Sequence, residues 1–540
     1  MGEISGPMNR RSFIQLTAGL SAIAKLGLAC KPGRKVRGQI VGASSAAGHL
    51  IRDKKIPEPT SFSKKEIVII GGGISGLSAA RYLHANNTSD FILLELENKT
   101  GGNASGGSNE LSRYPWGAHY IPTPNNDLPE YLQFLEECGV IVGKTAEGLP
   151  IYNELYLCFD PQERLYINGR WQDGLVPHYG VPSDEVKQID SFMKKMDEYR
   201  YKKDTKGLHA FAIPVDSSSK EEEFVLLDKI TMKEWLNQQG FTSNYLHQYV
   251  NYCCRDDFGT PHHLVSAWAG IHYFAGRKGK GSNAAHGDVL TWPEGNGFLA
   301  GHLRKNIEPQ IRTNTMAIKV REINDGVDID LMDLKTHVVE RIHAKHCVMA
   351  IPHFVGARLL NDEQRLQSVH SSLAYVPWMV ANLKVDALEE RSGSPFSWDN
   401  VLHDSPSLGY VEATHELLQQ QTAKKNITYY LPLTDASPSQ ERKKAQEKTI
   451  EVWREEIFSD LEKIHPNIRE ATEEVNVMVW GHAMAQPLPN IIHGDTRKNL
   501  SASINNKIHF AHTDLAGISI FEEAFYQGIG AAKKILQTQS

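Results

Sequence analysis

Along the chain, apolar and polar positions first fall into a regular pattern near residue 65. Glu66-Ile67-Val68-Ile69-Ile70 is an unbroken β-branched run, as expected of a strand buried on both faces in a parallel sheet. Glycines at 71, 72, 73 and 76 punctuate it, Leu77, Ala80 and Leu83 then recur at helical spacing, and Phe91-Ile92-Leu93-Leu94 forms a second buried run. The order is strand, glycine turn, helix, strand. Helical periodicity returns over 129–138, 184–201, 294–306 and 438–463, and alternating or β-branched segments occupy 311–331, 336–351 and 378–386. The charged, serine-rich stretch 202–223 predicts a surface loop. No fixed-period repeat is present. The last 35 residues are a strand at 507–511 and an Ala/Gly-spaced helix over 519–536, so both ends of the chain contribute to one α/β domain.

Ahead of that pattern, residues 31–64 are rich in Gly, Ser, Ala, Lys and Pro without periodicity, which predicts a linker. The first thirty residues predict a targeting segment. Asn9-Arg10-Arg11-Ser12-Phe13-Ile14 precedes a modestly apolar stretch, 16–29, that ends at Cys30. That is the layout of a twin-arginine signal, which implies the export machinery as a partner, a folded cargo and a periplasmic location. Leu26-Gly27-Leu28-Ala29-Cys30 also fits a lipoprotein cleavage site with Cys30 acylated, apart from Gly27. The apolar stretch is shorter than the roughly 20 residues a membrane-spanning helix needs.

Composition narrows the function. With 41% hydrophobic and 23% charged residues and a formal net charge of -6, the chain has ordinary globular composition, and no basic footprint indicates nucleic acid. Its 540 residues suffice for two or three domains. Six cysteines show neither CxxC nor a Cys/His zinc pattern, so the expectation is buried free thiols and no metal site.

The glycines carry the first chemistry. Gly71, Gly73 and Gly76 form G-x-G-x-x-G between a buried strand and a helix. Gly71 permits the turn, Gly73 leaves no side chain between backbone and a pyrophosphate, and Gly76 lets helix and strand pack closely. The helix start, Ile74 and Ser75, offers free N–H groups to phosphates. Glu95 closes the next strand, where a carboxylate accepts ribose hydroxyls, with Leu96 beside it. The expectation is a dinucleotide-binding domain of Rossmann type, discontinuous over 65–150, 286–355 and 491–540.

The residues after Glu95 narrow the dinucleotide. Glu95-Leu96-Glu97-Asn98-Lys99-Thr100-Gly101-Gly102-Asn103 is similar to the Glu-Ala-Arg-x-x-x-Gly-Gly-Arg signature of the flavin amine oxidase and phytoene desaturase superfamily, with Asn103 where that family has Arg. Two further segments resemble it: Thr291 to Leu299 with the strands ending at Ala350-Ile351-Pro352, and His509 to Asp514 with Glu523 to Gly528. The resemblance implies FAD, held through Gly71, Gly73, Ile74, Ser75, Gly76, Glu95, Leu96, Gly101, Gly102 and Asn103. It adds Val320 near the adenine, Asp514 (or Thr513) at the ribityl chain, Ile520 at the helix start facing the ring, and His119 entering the active site. The resemblance also implies an α+β substrate domain inserted as 151–285 and 356–490. Catalytic candidates are His119, Trp480 and His482. The strand 378–385 places Ala381 where many amine oxidases have a lysine beside the flavin, and puts Lys384 on the other face.

The activity that the resemblance implies is FAD-dependent oxidation of a small-molecule amine by hydride transfer, a polyamine being the first candidate, with Asp256, Asp257 and Asp399 available to attract a cation. Two alternatives stand beside it: a carbon–carbon desaturase or isomerase, and a non-catalytic exported flavoprotein.

Overall fold

The computed structural model describes residues 35–42, 45–53, 57–417 and 423–539. The twin-arginine segment and Cys30 lie outside them. The described chain is mixed α/β and builds two seven-stranded sheets.

The first sheet comes from widely separated parts of the chain. It uses β1 (Ser61–Ile70), β2 (Phe91–Leu94), β3 (Ile311–Arg312), β4 (Thr315–Ile323), β5 (Gly326–Asp333) and β6 (Val339–Met349), ordered β3-β2-β1-β6-β5-β4. β1 lies parallel to β2 and β6, and a second short strand, Ile508–Phe510, joins β6 in parallel beyond the end of β5. β1 becomes fully buried only at its second half, where the run Ile67 to Ile70 sits between two apolar layers. Helix α1 (Ile74–Ala85) covers one face with Leu77, Ala80 and Leu83 pointing inward. Val327, Ile329, Leu331 and Ile342 fill the other.

The second sheet is mainly antiparallel. At one side of it β7 (Tyr375–Val385) runs between β8 (Lys425–Pro432) and the edge strand β9 (Thr472–Ala485). From β8 it runs through Tyr410–Glu412 and Asp399–Leu402 to the hairpin Glu163–Ile167 and Arg170–Asp173. Every residue of β7 is buried. Ile450–Leu461 packs its Trp453 and Ile457 against the outer face. A helical layer holding α2 (Asn244–Phe258) joins the two sheets, and α3 (Phe521–Gln539) returns to lie on α1. The crossing is close, for a Cβ at Gly528 would overlap the Ser75 carbonyl oxygen.

Two expectations about loops need correction. Residues 31–64 are not simply a tether. Within them, 37–41 run parallel to the outer edge of β9 through four backbone hydrogen bonds, among them Arg37 N–H to Glu473 O at 3.0 Å and Val41 N–H to Val477 O at 2.7 Å. Ser45–Asp53 then forms a helix, and β1 itself begins at Ser61. The sequence shows no periodicity there because backbone pairing to a sheet edge, not side-chain burial, orders the strap. The stretch 202–223 is likewise no surface excursion. Ala210, Phe211, Ile213 and Val215 are fully buried under charged flanks that disguise them.

The strap rests on one glycine. Gly38 has φ of +137°, and a Cβ there would overlap the Val475 carbonyl. We therefore predict that Gly38→Val releases residues 37–41 from β9, costing about 2–4 kcal/mol of docking through lost backbone hydrogen bonds. Limited trypsin digestion checks this: cleavage after Lys35 and Arg37 should accelerate while the remaining body resists.

Candidate active site

At the carboxyl ends of β1 and β2 lies a cleft of about 410 Å³. Its floor is the turn 71–76. Gly71 takes φ of +105° and a Cβ there would overlap the Ala350 carbonyl, while a Cβ at Gly76 would overlap the carbonyl of Gly71. These two glycines let strand, turn and β6 meet. Gly73 differs, for a Cβ added to it meets nothing within 4 Å and would project into the cleft. A cradle that a side chain would fill, at the start of α1 with no acidic residue in its first turn, is what a pyrophosphate requires.

Glu95 lines the same cleft and is held by two backbone donors, Gly72 N–H to Oε2 and Glu97 N–H to Oε1, both at 2.8 Å. Burial pushes its carboxyl up to about 7 in spite of these bonds. Gly101 and Gly102, at φ of +125° and +55°, fold the next turn back onto Gly73, with Gly101 N–H to Gly72 O at 2.8 Å. Ile74, Ser75, Leu96, Asn103 and Ile520 complete this part of the wall. Residues and cradle together fit a dinucleotide such as FAD.

A second cavity, of about 150 Å³, opens beyond it. Asn103, Ala118, Ala483, Ser519, Ile520 and Phe521 line both, so the cleft and the cavity share one boundary. The Asn103 amide donates to the Ala483 carbonyl at 2.6 Å, fastening the glycine turn to the end of β9. Aromatic groups form the cavity wall: His119, Tyr120, Trp378, Tyr430 and Trp480. His119 lies with its ring centroid 4.6 Å from that of Tyr430 and 5.6 Å from that of Trp398. Burial lowers it to about 4, so it is neutral at physiological pH. Trp480 pairs with Trp378 across the β7–β9 ladder and donates its indole N–H to the Trp116 carbonyl at 2.6 Å.

Opposite this wall the cavity is acidic. Asp256 and Asp257 project from the last turn of α2, Glu522 from the start of α3, and Arg277 is the one cationic residue among those lining the cavity. Arg277 binds Glu522 at 2.5 Å. Burial would weaken the guanidinium's charge, but Glu522 and Asp257 strengthen it. That leaves two carboxyls in excess. Burial, then repulsion from Asp257, pushes Asp256 up to about 7 against the hydrogen bond from Tyr120 OH at 3.2 Å. Asp257 rises to about 6 through burial. Asp399, behind them, is driven well above the carboxylate range by burial and by Glu163 and Asp256. No group balances these carboxyls completely, so the cavity favours a cation.

Several residues singled out in the sequence lie elsewhere. Val320 is buried in the core under the first sheet, and Thr315, Met316 and Ala317 form the cleft wall instead. The ladder shifts register between Ala317 and Lys319, which separates the cleft-lining residues from Val320. Asp514 does not line the cleft. Its carboxylate is fully buried, taking the Tyr375 hydroxyl at 2.7 Å and the His353 backbone N–H at 2.8 Å, with the His353 ring at 3.0 Å. His512 and His353 hold it well below its usual range, outweighing burial. His512 and Thr513 face the cleft in its place.

Gly76 acts by packing rather than by contact. His482 lines the dinucleotide cleft, against Phe354, and not the aromatic cavity. Ala381 points into the core on the far side of β7, while Trp378 and Val380 face the cavity. Lys384 is bound to Glu110 and Glu473. Among the described residues that line the two cavities there is no lysine. Arg277, Glu522, Trp378 and Tyr430 are cavity residues that sequence reasoning misses. They come from four separate segments, and no local motif links them.

Comparison with known proteins agrees with this geometry. Residues 69–138 match the NAD(P)-binding Rossmann-like domain family. A flavin-containing amine oxidase from Oncorhynchus mykiss is 24% identical over 304 residues, 54% of this chain and 51% of that protein. The chain spans about half the length of the curated relatives it matches. Among solved structures, a putrescine oxidase double mutant superposes with a TM-score of 0.65 at 14% identity, covering 88% of this chain and all of the other. A fatty acid isomerase from P. acnes gives 0.61 at 17% identity, over 88% and 98% of the two chains. These matches give the chain a Rossmann-like dinucleotide-binding domain and the fold of those solved structures, and they support the resemblance to flavin amine oxidases read from the sequence.

The raised carboxyl of Asp256 has a measurable consequence. Its folded pKa of about 7 exceeds an unfolded value near 3.9, so ionising it costs the folded state. The cost is complete above pH 7 and vanishes as pH falls below about 4. Asp256→Asn keeps an acceptor for Tyr120 without the charge. In the ligand-free protein it should raise stability by about 1–3 kcal/mol at pH 8 and leave it unchanged at pH 4, measured by urea unfolding followed through tryptophan fluorescence.

Proposed function

We propose that this chain is an FAD-dependent amine oxidoreductase, with a small cationic amine as substrate and a polyamine as the first candidate. The observation that carries the reading is the shared boundary at Asn103, Ala118, Ala483 and Ile520. It sets a dinucleotide cleft against an aromatic, acid-lined cavity. Likeness in fold to a putrescine oxidase supports the same reading.

Bound FAD supplies a two-electron acceptor. The chain's own residues do the rest. Trp378, Tyr430 and Trp480 exclude water and orient the substrate's carbon skeleton. Asp256 and Asp257 draw the ammonium in, and a carboxylate with a pKa of about 7 can take the proton that must leave before the nitrogen lone pair is free. Neutral His119 packs the wall without adding a competing positive charge. A second reading, a carbon–carbon desaturase or isomerase, draws on the missing lysine and on the likeness to a fatty acid isomerase. The excess of carboxyls argues against an anionic or wholly apolar substrate.

The proposal extends to export through the twin-arginine route, with Cys30 as a candidate lipid anchor, supported by Arg10-Arg11 and the apolar stretch after them. Replacing both arginines by lysine should leave folded, yellow precursor in the cytoplasm, and fractionation showing normal export would remove this part.

Anaerobic mixing of the purified protein with a panel of amines, polyamines, amino acids and polyenes, followed by flavin absorbance, tests the activity. Amines should bleach the flavin, faster as pH rises and the bound amine is deprotonated. Gly73→Val, whose side chain enters only the cleft, should fold with normal circular dichroism yet carry no flavin. Bleaching by a polyene alone favours the second reading, and a yellow protein that nothing bleaches points to a non-catalytic flavoprotein.

A further inference from the structure

Outside the two cavities, three side chains with metal-ligand chemistry converge from distant parts of the chain. Cys158 precedes the hairpin of the second sheet, and His415 and Glu416 lie in the turn after Tyr410–Glu412. One ligand atom from each, the Cys158 sulfur, an imidazole nitrogen and a carboxylate oxygen, lies within 4.8 Å of the others.

The backbone holds Cys158 and His415 in place. Cys158 N–H donates to the Val289 carbonyl at 3.0 Å, and His415 N–H donates to the Glu412 carbonyl at 3.2 Å. The His415 ring places Nε2 3.1 Å from the Phe159 carbonyl oxygen. A carbonyl there requires N–H on Nε2, which leaves the lone pair on Nδ1. Metal-bound histidines are commonly oriented in this way. Glu416 supplies the carboxylate of the set. Both its carboxylate oxygens are buried, no nitrogen or oxygen donor reaches them, and the hydrogen bond Glu416 receives comes from the Cys158 thiol. A thiol is a weak donor for a buried carboxylate, and a cation bound between the sulfur and the carboxylate would take its place.

We propose that Cys158, His415 and Glu416 bind a single thiophilic divalent cation, Zn2+ being the first choice. The donor set decides the ion class. A thiolate beside an imidazole selects against Mg2+ and Ca2+, which take oxygen ligands, and the mixed S, N, O set suits Zn2+. Bonds of about 2.0–2.3 Å in a tetrahedral arrangement put ligand atoms roughly 3.5 Å apart, so movements of about 1 Å close the site. Three protein ligands leave a fourth position for water or another donor.

The site has a clear structural task. Cys158 packs in one apolar cluster with Trp378, Val380, Trp398 and Tyr430, and Trp378, Val380 and Tyr430 also line the aromatic cavity. A metal here would tie the Cys158 stretch to the end of the Tyr410–Glu412 strand, directly behind that wall. It is a brace for the wall, independent of what the cavity oxidises.

The test uses the purified full-length protein, stripped with chelator and titrated with Zn2+, with Co2+ as the spectroscopic probe. The expected result is one equivalent of Zn2+ retained after dialysis against micromolar metal, with a rise in unfolding temperature of several degrees. Co2+ should give d–d bands at wavelengths beyond the flavin absorption together with a thiolate charge-transfer band. Cys158→Ser should lose the charge-transfer band and weaken Zn2+ binding at least tenfold, as should the near-isosteric Glu416→Gln. If Cys158→Ser does not fold, the charge-transfer band of the wild type and the Glu416→Gln titration decide the matter. Failure of the wild type to retain metal overturns the proposal. So does retention without a sulfur signature, which would point to other histidines such as the half-buried pair His247 and His262, whose ring nitrogens lie 3.2 Å apart.

Discussion

Everything in this molecule hangs on the close approach of three backbones: the turn 71–76, the end of β6 at Ala350, and α3 where Gly528 crosses Ser75. No residue larger than glycine fits at Gly71, Gly76 or Gly528 without overlap. That contact does more than pack. It brings α1 onto the sheet with its amino terminus open to a cleft, and it carries the start of α3, with Ser519, Ile520 and Phe521, to the boundary between that cleft and the aromatic cavity. Asn103 then fastens the boundary to β9. A rigid junction of this kind is what a reaction between a bound cofactor and a small substrate needs, because both must be held at fixed distance and angle.

Electrostatics divides the two compartments. On the cleft side the turn and helix start offer N–H groups, while on the cavity side buried carboxyls outnumber Arg277. The same low-dielectric surroundings that keep His119 neutral raise Asp256 and Asp257. Asp514 shows the opposite case, a fully buried carboxylate kept ionised because His353, Tyr375 and His512 surround it. Burial alone therefore does not decide a carboxyl's state here. Its donors do.

The parts of the site legible in the sequence are those whose chemistry lies in the backbone or in local spacing. Gly71, Gly73, Gly76, Glu95, Gly101 and Gly102 announce a turn and a carboxylate at positions that only short-range geometry controls. Val320, which the resemblance put near the adenine, points into the core, and Thr315 to Ala317 on the other side of a bulge line the cleft. Asp514, which the resemblance offered to the cofactor with Thr513 as the alternative, is instead taken up by His353 and Tyr375, more than a hundred residues away and invisible to local pattern. The strap at 37–41 was invisible since edge pairing leaves no hydrophobic pattern. Cys158, His415 and Glu416 meet only in the folded chain.

The central claim is that one dinucleotide lies across the boundary between the two compartments, its phosphates at the turn 71–76 and its ring end facing the aromatic cavity. A crystal structure of the flavin-loaded protein measures this most directly. It should show the pyrophosphate within hydrogen-bonding distance of the α1 amino terminus, a ribose on Glu95, and the ring system bounded by Asn103, Ala118 and Ile520. Flavin bound elsewhere, or in this cleft with its ring turned away from Trp378, Tyr430 and Trp480, would contradict the account.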